Sequence, residues 1–397
     1  CVINASPFHW KKRRLRVETA ARRVAECGIP LVYANLSGLE DVGKNLVLFD
    51  GHCFALSQAG LEETVSWEGT ETLFDVPLSP VERTFDAPVP QAPALVSDAL
   101  IFGIREFFRK SAVFETAVIG LSGGIDSAVD ALLLERAIGK DRLICINMPT
   151  RFNSRTTRDL AAHVASRLQA RYIVHPIEDA VNIHAEGFAR FLGHPVRTLT
   201  LENIQARERG NVLMAYAQEF AGMVVGNGNK TEFQRGYATL YGDLVGALMP
   251  LEDVHKLLVY AIGRHLDPNT EVLPPEIYRL IPSAELSEQQ DITAGRGDPF
   301  DYFIEAPMGV ELIENARTPA ELKAMFIKKE LDPDLWIPDH QGKTVYEKMD
   351  ADRFERYAQE VRRAIERSFF KRIQSPPVPV ISPRAFGLDL HETLFGR

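Results

Sequence analysis

"VIGLSGGIDSAVDALLL", residues Val118–Leu134, runs from an apolar stretch through Ser-Gly-Gly into a segment of helical character. The stretch that leads into it, Ala117–Leu121, has no polar alternation, which marks a strand buried on both faces. Such strands belong to parallel sheets covered by helices, and the same alternation continues downstream. Strand Leu143–Met148, helix Thr156–Leu168, a strand over "RYIVHP", helix Glu202–Phe220 and strand Met223–Gly228 follow in order. The pattern predicts an α/β fold built on a doubly wound parallel sheet. Ligands of such sheets bind beyond the carboxyl ends of the strands, and the quoted loop sits at one of those ends.

The residues of the loop indicate what it holds. Gly123 and Gly124 let the backbone turn tightly and approach a ligand closely. Ser122 and Ser127 offer hydroxyls, and the helix start beside Asp126 presents free N–H groups and a positive dipole end. Together they form an anion cradle suited to phosphates. Asp126 would be repelled by those phosphates unless a divalent cation lay between them, so the set implies phosphate plus magnesium. The loop is neither G-x-x-x-x-G-K-[ST] nor G-x-G-x-x-G. The plain structural alternative is a glycine turn with a serine cap on the next helix.

Composition narrows the function classes. The chain has 397 residues, enough for two or three domains, and a net charge of −9, which argues against coating nucleic acid or an anionic membrane. No apolar run reaches the roughly 18 residues that span a bilayer. Cys1, Cys27, Cys53 and Cys145 lack the paired spacing of a zinc site or disulfide framework, and reduced thiols in a cytoplasmic protein are expected. His163, His175, His184 and His194 show no metal-ligand spacing.

The stretch Val76–Leu95 carries Pro77, Pro80, Pro88, Pro90 and Pro93 and reads as a linker. It divides the chain into an N-terminal unit over 1–76, a linker over 77–94 and a main domain over 95–397. The first unit is read as strand Val2–Asn4, a basic helix near Lys11–Glu26, strand Leu31–Ala34, and a hairpin turning at Asp50-Gly51. Cys1, leading into the first strand, is expected to be buried at a broken sheet edge, and such a sheet remnant would favour self-association.

The string Ser-Gly-Gly-x-Asp-Ser after a strand resembles the pyrophosphate loop of the N-type ATP pyrophosphatases, which adenylate an oxygen and release pyrophosphate. "MPTRF" (Met148–Phe152), "LENIQARERGNVLMAYAQEF" (Leu201–Phe220), "VVGNGNKTEFQRGYATLYGD" (Val224–Asp243), "PLEDVHKLLVY" (Pro250–Tyr260), "IPSAEL" (Ile281–Leu286) and "KRIQSPP" (Lys371–Pro377) are similar to glutamine-dependent NAD synthetases. The likeness runs from Leu95 to the C-terminus. It implies an adenine nucleotide alpha hydrolase-like fold and an ATP-dependent ligase that amidates deamido-NAD, with ammonia or glutamine as nitrogen source.

Residue by residue, the resemblance implies that Gly120, Leu121, Ser122, Gly123, Gly124, Ile125, Asp126 and Ser127 hold ATP phosphates. Asp126 and Glu232 match magnesium-binding carboxylates, and Lys256 matches a lysine on ATP phosphate, which makes Asp126 and Lys256 the catalytic candidates. Ser283 matches a hydroxyl on a mobile loop that also contacts ATP. Asn203, Arg207, Glu232 and Lys371 match deamido-NAD positions; Asn203 and Arg207, four apart, share a helix face. Asn227 stands where the family commonly has an ATP-binding threonine, and "GRGDPFDY" (Gly295–Tyr302) departs from the family loop.

The family's N-terminal nitrilase-like amidase uses a glutamate, a lysine and a cysteine, and "VINASPFHWKK" resembles a strand and loop lying after that cysteine. The resemblance makes 1–76 an incomplete nitrilase-like α/β unit in which Ser6 and Lys12 match glutamine-binding positions. The triad would lie upstream of Cys1, so ammonia is expected to serve this chain and glutamine the intact parent. A homo-oligomer is expected, with no nucleic-acid or membrane partner. The competing reading is a catalytically weak nucleotide-binding remnant with a regulatory or assembly role.

Overall fold

In the computed structural model, which describes residues 1–69, 71, 73–87 and 91–387, the chain opens with a small α/β unit. Its elements are β1 (Val2–Asn4), α1 (Lys12–Cys27), β2 (Leu31–Asn35), β3 (Ser37–Val42), β4 (Asn45–Asp50), β5 (Cys53–Ser57) and β6 (Gly60–Thr64). Strands β1, β2, β5 and β6 form one sheet in that order, while β4 and β3 pair antiparallel in another. Asp50-Gly51 therefore does not turn a hairpin, as the sequence signal predicted. It is a corner carrying the chain from one sheet to the other. A Cβ on Gly51 would lie 2.2 Å from the Ser66 carbonyl oxygen, so the glycine there answers to close chain packing. The Asp50 carboxylate accepts hydrogen bonds from Arg13 and Arg16 and, at 3.4 Å, from the His52 N–H across that corner.

Beyond the proline-rich segment come α2 (Ala92–Ser111), β7 (Thr116–Gly120), α3 (Ile125–Ile138), β8 (Leu143–Asn147), α4 (Arg155–Leu168), β9 (Arg171–Val174), α5 (Glu178–Leu192), α6 (Thr198–Glu219) and β10 (Gly222–Val225). The four strands form one all-parallel sheet in the order β10-β7-β8-β9. The central residues of β7 and all of β8 are buried, which explains their unbroken apolar sequence. Because β8 and β10 flank β7 on opposite sides, the strand order reverses at β7. A crevice opens there beyond its carboxyl end.

The chain continues through α7 (Lys230–Arg235), α8 (Lys256–Leu266), α9 (Tyr302–Gly309), α10 (Pro319–Lys328), α11 (Val345–Lys348), α12 (Ala351–Arg367), α13 (Phe369–Arg372) and β11 (Val378–Val380). Helices α10 and α12 close a separate apolar cluster around Leu322, Phe326, Trp336 and Phe354.

Three observations bear on the predicted division at 76 and 95. Val81, inside the predicted linker, packs with Val17 and Phe54 in the core of the first unit. Helix α2 begins at Ala92, within the linker; Pro88 and Pro90 lie outside the described residues. Strand β11, near the far end of the chain, adds in parallel to β4 with Val378 opposite Asn45. Phe8, Leu46 and Leu48 share one apolar core with α2, α3 and the parallel sheet, so the two regions are bound by a common interior. Cys1 is exposed rather than buried, and β1 is exposed along its length. Among the described residues no helix is long and apolar enough to cross a membrane.

Candidate active site

The loop after β7 closes on itself before meeting anything else. The Ser127 hydroxyl accepts from the Ser122 N–H at 3.3 Å and donates to the Gly124 carbonyl at 3.1 Å. The Ser122 Oγ accepts from the Gly124 N–H at 3.2 Å. Gly123 has φ +91°, and a Cβ there would sit 1.9 Å from the Thr157 carbonyl oxygen, so the loop runs flush against α4. Helix α3 starts at Ile125 with no side-chain cap, leaving its first N–H groups free to meet an anion.

This loop floors a cleft of about 560 Å³. A more open hollow of about 730 Å³ beside Arg264, Asp267 and His340 shares no lining residue with it and has none of the loop's chemistry. The cleft is lined by the ends of β7, β8 and β10, by α6, and by the segments around Glu232, Lys256, Ser283 and Asp298.

The acidic centre is built from three elements. Asn229 caps α7 by accepting from the Thr231 and Glu232 N–H groups, and its own N–H contacts Glu232 at 3.1 Å. Its side-chain amide donates to Asp126 Oδ1 at 3.2 Å, so one asparagine links both carboxylates. Lys256, the first residue of α8, sends its ammonium to Asp126 Oδ2. That ammonium also lies 4.9 Å from the Tyr302 ring. The Lys256 pKa stands above the ordinary lysine value: burial opposes the charge, and Asp126 more than offsets it.

Glu232 is pushed up to about 8 by burial and then by the Asp126 charge, against the pull of Lys256. The folded chain therefore keeps a proton that the unfolded chain releases near the ordinary carboxylate pKa. The sign follows: as pH rises from that ordinary value through about 8, the folded state loses stability to this group. Glu232→Gln cannot titrate, so in metal-free buffer its melting temperature should gain on the native chain across that window. Parallel thermal melts between pH 5 and 8.5 check this; a difference independent of pH contradicts it.

Two donor sites stand beside these acids. Asn227 donates from Nδ2 to the Gly120 carbonyl at 2.8 Å, tying β10 to β7, while its buried Oδ1 has no partner among the described residues. Lys371 donates to the Gly236 and Ala238 carbonyls, both at 2.7 Å, and lines the cleft. Burial lowers its pKa. Ser283 lines the cleft too, its hydroxyl donating to the Gln290 carbonyl at 2.7 Å.

The structure thus gathers Gly120, Leu121, Ser122, Gly124, Ile125, Asp126, Ser127, Asn203, Asn227, Glu232, Lys256, Ser283 and Lys371 around one cleft, with Gly123 beneath it. Arg207 is not among them. At 100° per residue it falls about 40° to one side of Asn203, whereas Ala206, Gly210 and Leu213 fall to the other side and line the cleft. Arg207 is exposed and donates to the Leu240 carbonyl at 3.2 Å. The arginine that does line the cleft is Arg209, whose pKa burial lowers to about 10. Ser6 lies in the N-terminal unit, its oxygens accepting from Arg16, and Lys12 opens α1 there; neither lines the cleft.

Sequence reasoning also missed Asn229, Asp243, Asp298 and Tyr302. Asp243 lines the cleft with its pKa raised to about 6 by burial, and the Thr239 N–H donates to it. The capping pattern Asn229-x-x-Glu232 was readable and would have found the first of them.

The NAD synthase family model matches residues 97–331. The chain is 35% identical over 304 residues to the glutamine-dependent NAD(+) synthetase of Rhodobacter capsulatus, a match covering 73% of this chain and 54% of that one. It is 29% identical over 426 residues to the protein of the same name from Thermotoga maritima, covering 98% and 68%. Among solved structures, the glutamine-dependent NAD+ synthetase of Acinetobacter baumannii in complex with ADP superposes with TM-score 0.62 at 27% identity, covering 99% of this chain and 67% of that one. The chain spans about half the length of the first of these relatives.

Proposed function

The chain belongs to the NAD synthase family, and on that premise we propose that it amidates deamido-NAD to NAD at the cost of ATP. The nicotinate carboxylate attacks the α-phosphorus of ATP, and pyrophosphate leaves. Ammonia then attacks the adenylated carbonyl carbon and expels AMP. The nitrogen comes from ammonia, supplied free or by glutamine. The observation that carries this reading is the convergence of an uncapped helix start, a self-closed serine-glycine loop and the Asp126–Lys256 pair on one cleft.

Both reactants are anions, so donors must offset their repulsion. The loop N–H groups and the start of α3 receive phosphate oxygens, and Lys256 supplies a buried positive charge beside them. The Oδ1 of Asn227, unpartnered among the described residues, is an acceptor suited to the adenine amine. Asn203, Arg209 and Lys371 face the dinucleotide from the α6 side and the C-terminal segment.

Magnesium fits this donor set. No group of three or more acidic, histidine or cysteine side chains able to hold a metal occurs among the described residues. An ion that shares its shell with substrate phosphates needs only one or two carboxylates. Asp126 and Glu232, joined through Asn229, supply two, and the raised Glu232 carboxyl is an acid short of positive charge. Bound there, magnesium would neutralise charge on the phosphates.

The assay combines chain, ATP, magnesium and deamido-NAD with ammonium or with glutamine. NAD, AMP and pyrophosphate in equal amounts with ammonium are expected; folded chain that forms none of them overturns the reading.

The chain also self-associates on this reading, through α5. Only Val181 of that helix is buried, while Ile183, Phe188, Phe191 and Leu192 are exposed, with Leu199 of α6 nearby in sequence. Phe191, 91% exposed, is the natural probe. Phe191→Glu should shift the mass measured by light scattering toward the monomer, and a native chain already monomeric at micromolar concentration would contradict the proposal.

A further inference from the structure

The stretch that departs from the family pattern, Gly295–Tyr302, returns the chain to the cleft at Asp298. The segment over 281–298 runs along the cleft mouth, lining it from Ile281 to Leu286 and again at Ile292 and Asp298. Its two ends meet closely: a Cβ on Gly297 would lie 2.4 Å from the Ile281 side chain and 2.5 Å from the Pro282 carbonyl oxygen. The Asp298 N–H donates to that same carbonyl at 2.9 Å.

The Asp298 carboxylate then gathers three donors from three places. Its Oδ1 accepts from the Ala284 N–H, beside Ser283, and from the Tyr237 hydroxyl after α7, both at 3.1 Å. Its Oδ2 accepts from the Tyr302 hydroxyl on α9 at 2.9 Å, and that hydroxyl lies 3.3 Å from Glu232 Oε1. Gln290, midway along the segment, donates to the Tyr237 oxygen, while its own oxygen accepts from the Leu286 N–H at 2.9 Å. Phe300 packs edge-on against Tyr237 and beside Tyr302, so the tyrosines are held from behind. Charge-assisted bonds to one carboxylate are the strong kind, and three of them converge here.

We propose that Asp298 is a positioning residue. It latches the 281–298 segment over the cleft, so that Ser283 faces bound nucleotide, and through Tyr302 it sets the orientation of Glu232. The proposal rests on the reading of the cleft as an ATP site. Asp298 needs to touch no reactant for this role; it acts through Ala284, Tyr237 and Tyr302.

The test compares Asp298→Ala, Asp298→Asn and the native chain by two routes. Hydrogen exchange of the peptide over 281–290, followed without substrate, reads the latch alone. Steady-state AMP formation reads its consequence. Asp298→Ala should exchange at least about tenfold faster in that peptide, with peptides of the parallel sheet unchanged, and should raise the KM for ATP by a larger factor than it lowers kcat. Asp298→Asn, which keeps an acceptor for Ala284 and Tyr237, should recover most of the exchange protection. Tyr237→Phe, which keeps the carboxylate, should move both readouts in the direction of the alanine variant but less far, and it serves if the alanine variant does not fold. Unchanged exchange over 281–290 with an unchanged KM for ATP overturns the proposal, as does faster exchange spread evenly over the molecule. If the native chain makes no AMP, the functional reading fails, while the exchange comparison still judges the latch.

Discussion

Replacing Asp126 by asparagine is expected to lower AMP release by about 10² to 10³-fold while the fold survives. The carboxylate takes the Lys256 ammonium on one oxygen and the Asn229 amide on the other. Asparagine keeps the shape and removes the charge, and with it one of the two carboxylates available to a cation facing the phosphates. The fold survives because Glu232 is held protonated in part by Asp126 itself. Once that repulsion is gone, Glu232 ionises more readily and balances Lys256. A coupled AMP assay beside a thermal melt checks both halves, and unchanged AMP release would remove Asp126 from the mechanism.

Gly123→Ala should cost a comparable factor in activity for a different reason. The residue has φ +91°, outside the range that side chains adopt freely, and the added Cβ would sit 1.9 Å from a main-chain oxygen of α4 and 2.8 Å from its carbon. No rotamer relieves a clash with backbone, so the loop must lift from α4 and the N–H groups lose their aim. Backbone strain of this kind costs about 1–3 kcal/mol, and the melting temperature should fall with the activity. Gly28 is the control, with φ +67° and nothing within 4 Å of an added Cβ. Gly28→Ala should lose about 1–2 kcal/mol of stability and no activity. Equal activity for Gly123→Ala and the native chain would show that the loop does not work by backbone contact.

The parts of this molecule that sequence revealed are those where one physical cause acts locally. Buried parallel strands have no choice but unbroken apolar residues, and a loop pressed flush against a neighbouring helix has no choice but glycine, so β7 and Ser122–Ser127 were readable. Asp50-Gly51 misled because the same dipeptide serves two needs: here the aspartate is taken by Arg13 and Arg16, and the glycine by the chain at Ser66. The proline-rich segment misled because prolines forbid ladders without forbidding packing, and Val81 reaches the core between them. Arg207 stands one flank of a helix away from the cleft lining, a placement that spacing alone cannot give until the face turned to the cleft is known. Asp298 gave no local signal, since its three donors are as far as 61 positions away in the chain.

The most direct measurement omits the nitrogen donor. With ATP, deamido-NAD, magnesium and labelled pyrophosphate but no ammonium, reversal of the first step alone returns label to ATP. Label in ATP that requires deamido-NAD and is lost in Asp126→Asn is the expected result. A folded chain that binds ATP yet exchanges no label, or exchanges it equally without deamido-NAD, would contradict adenylation of that substrate at this cleft.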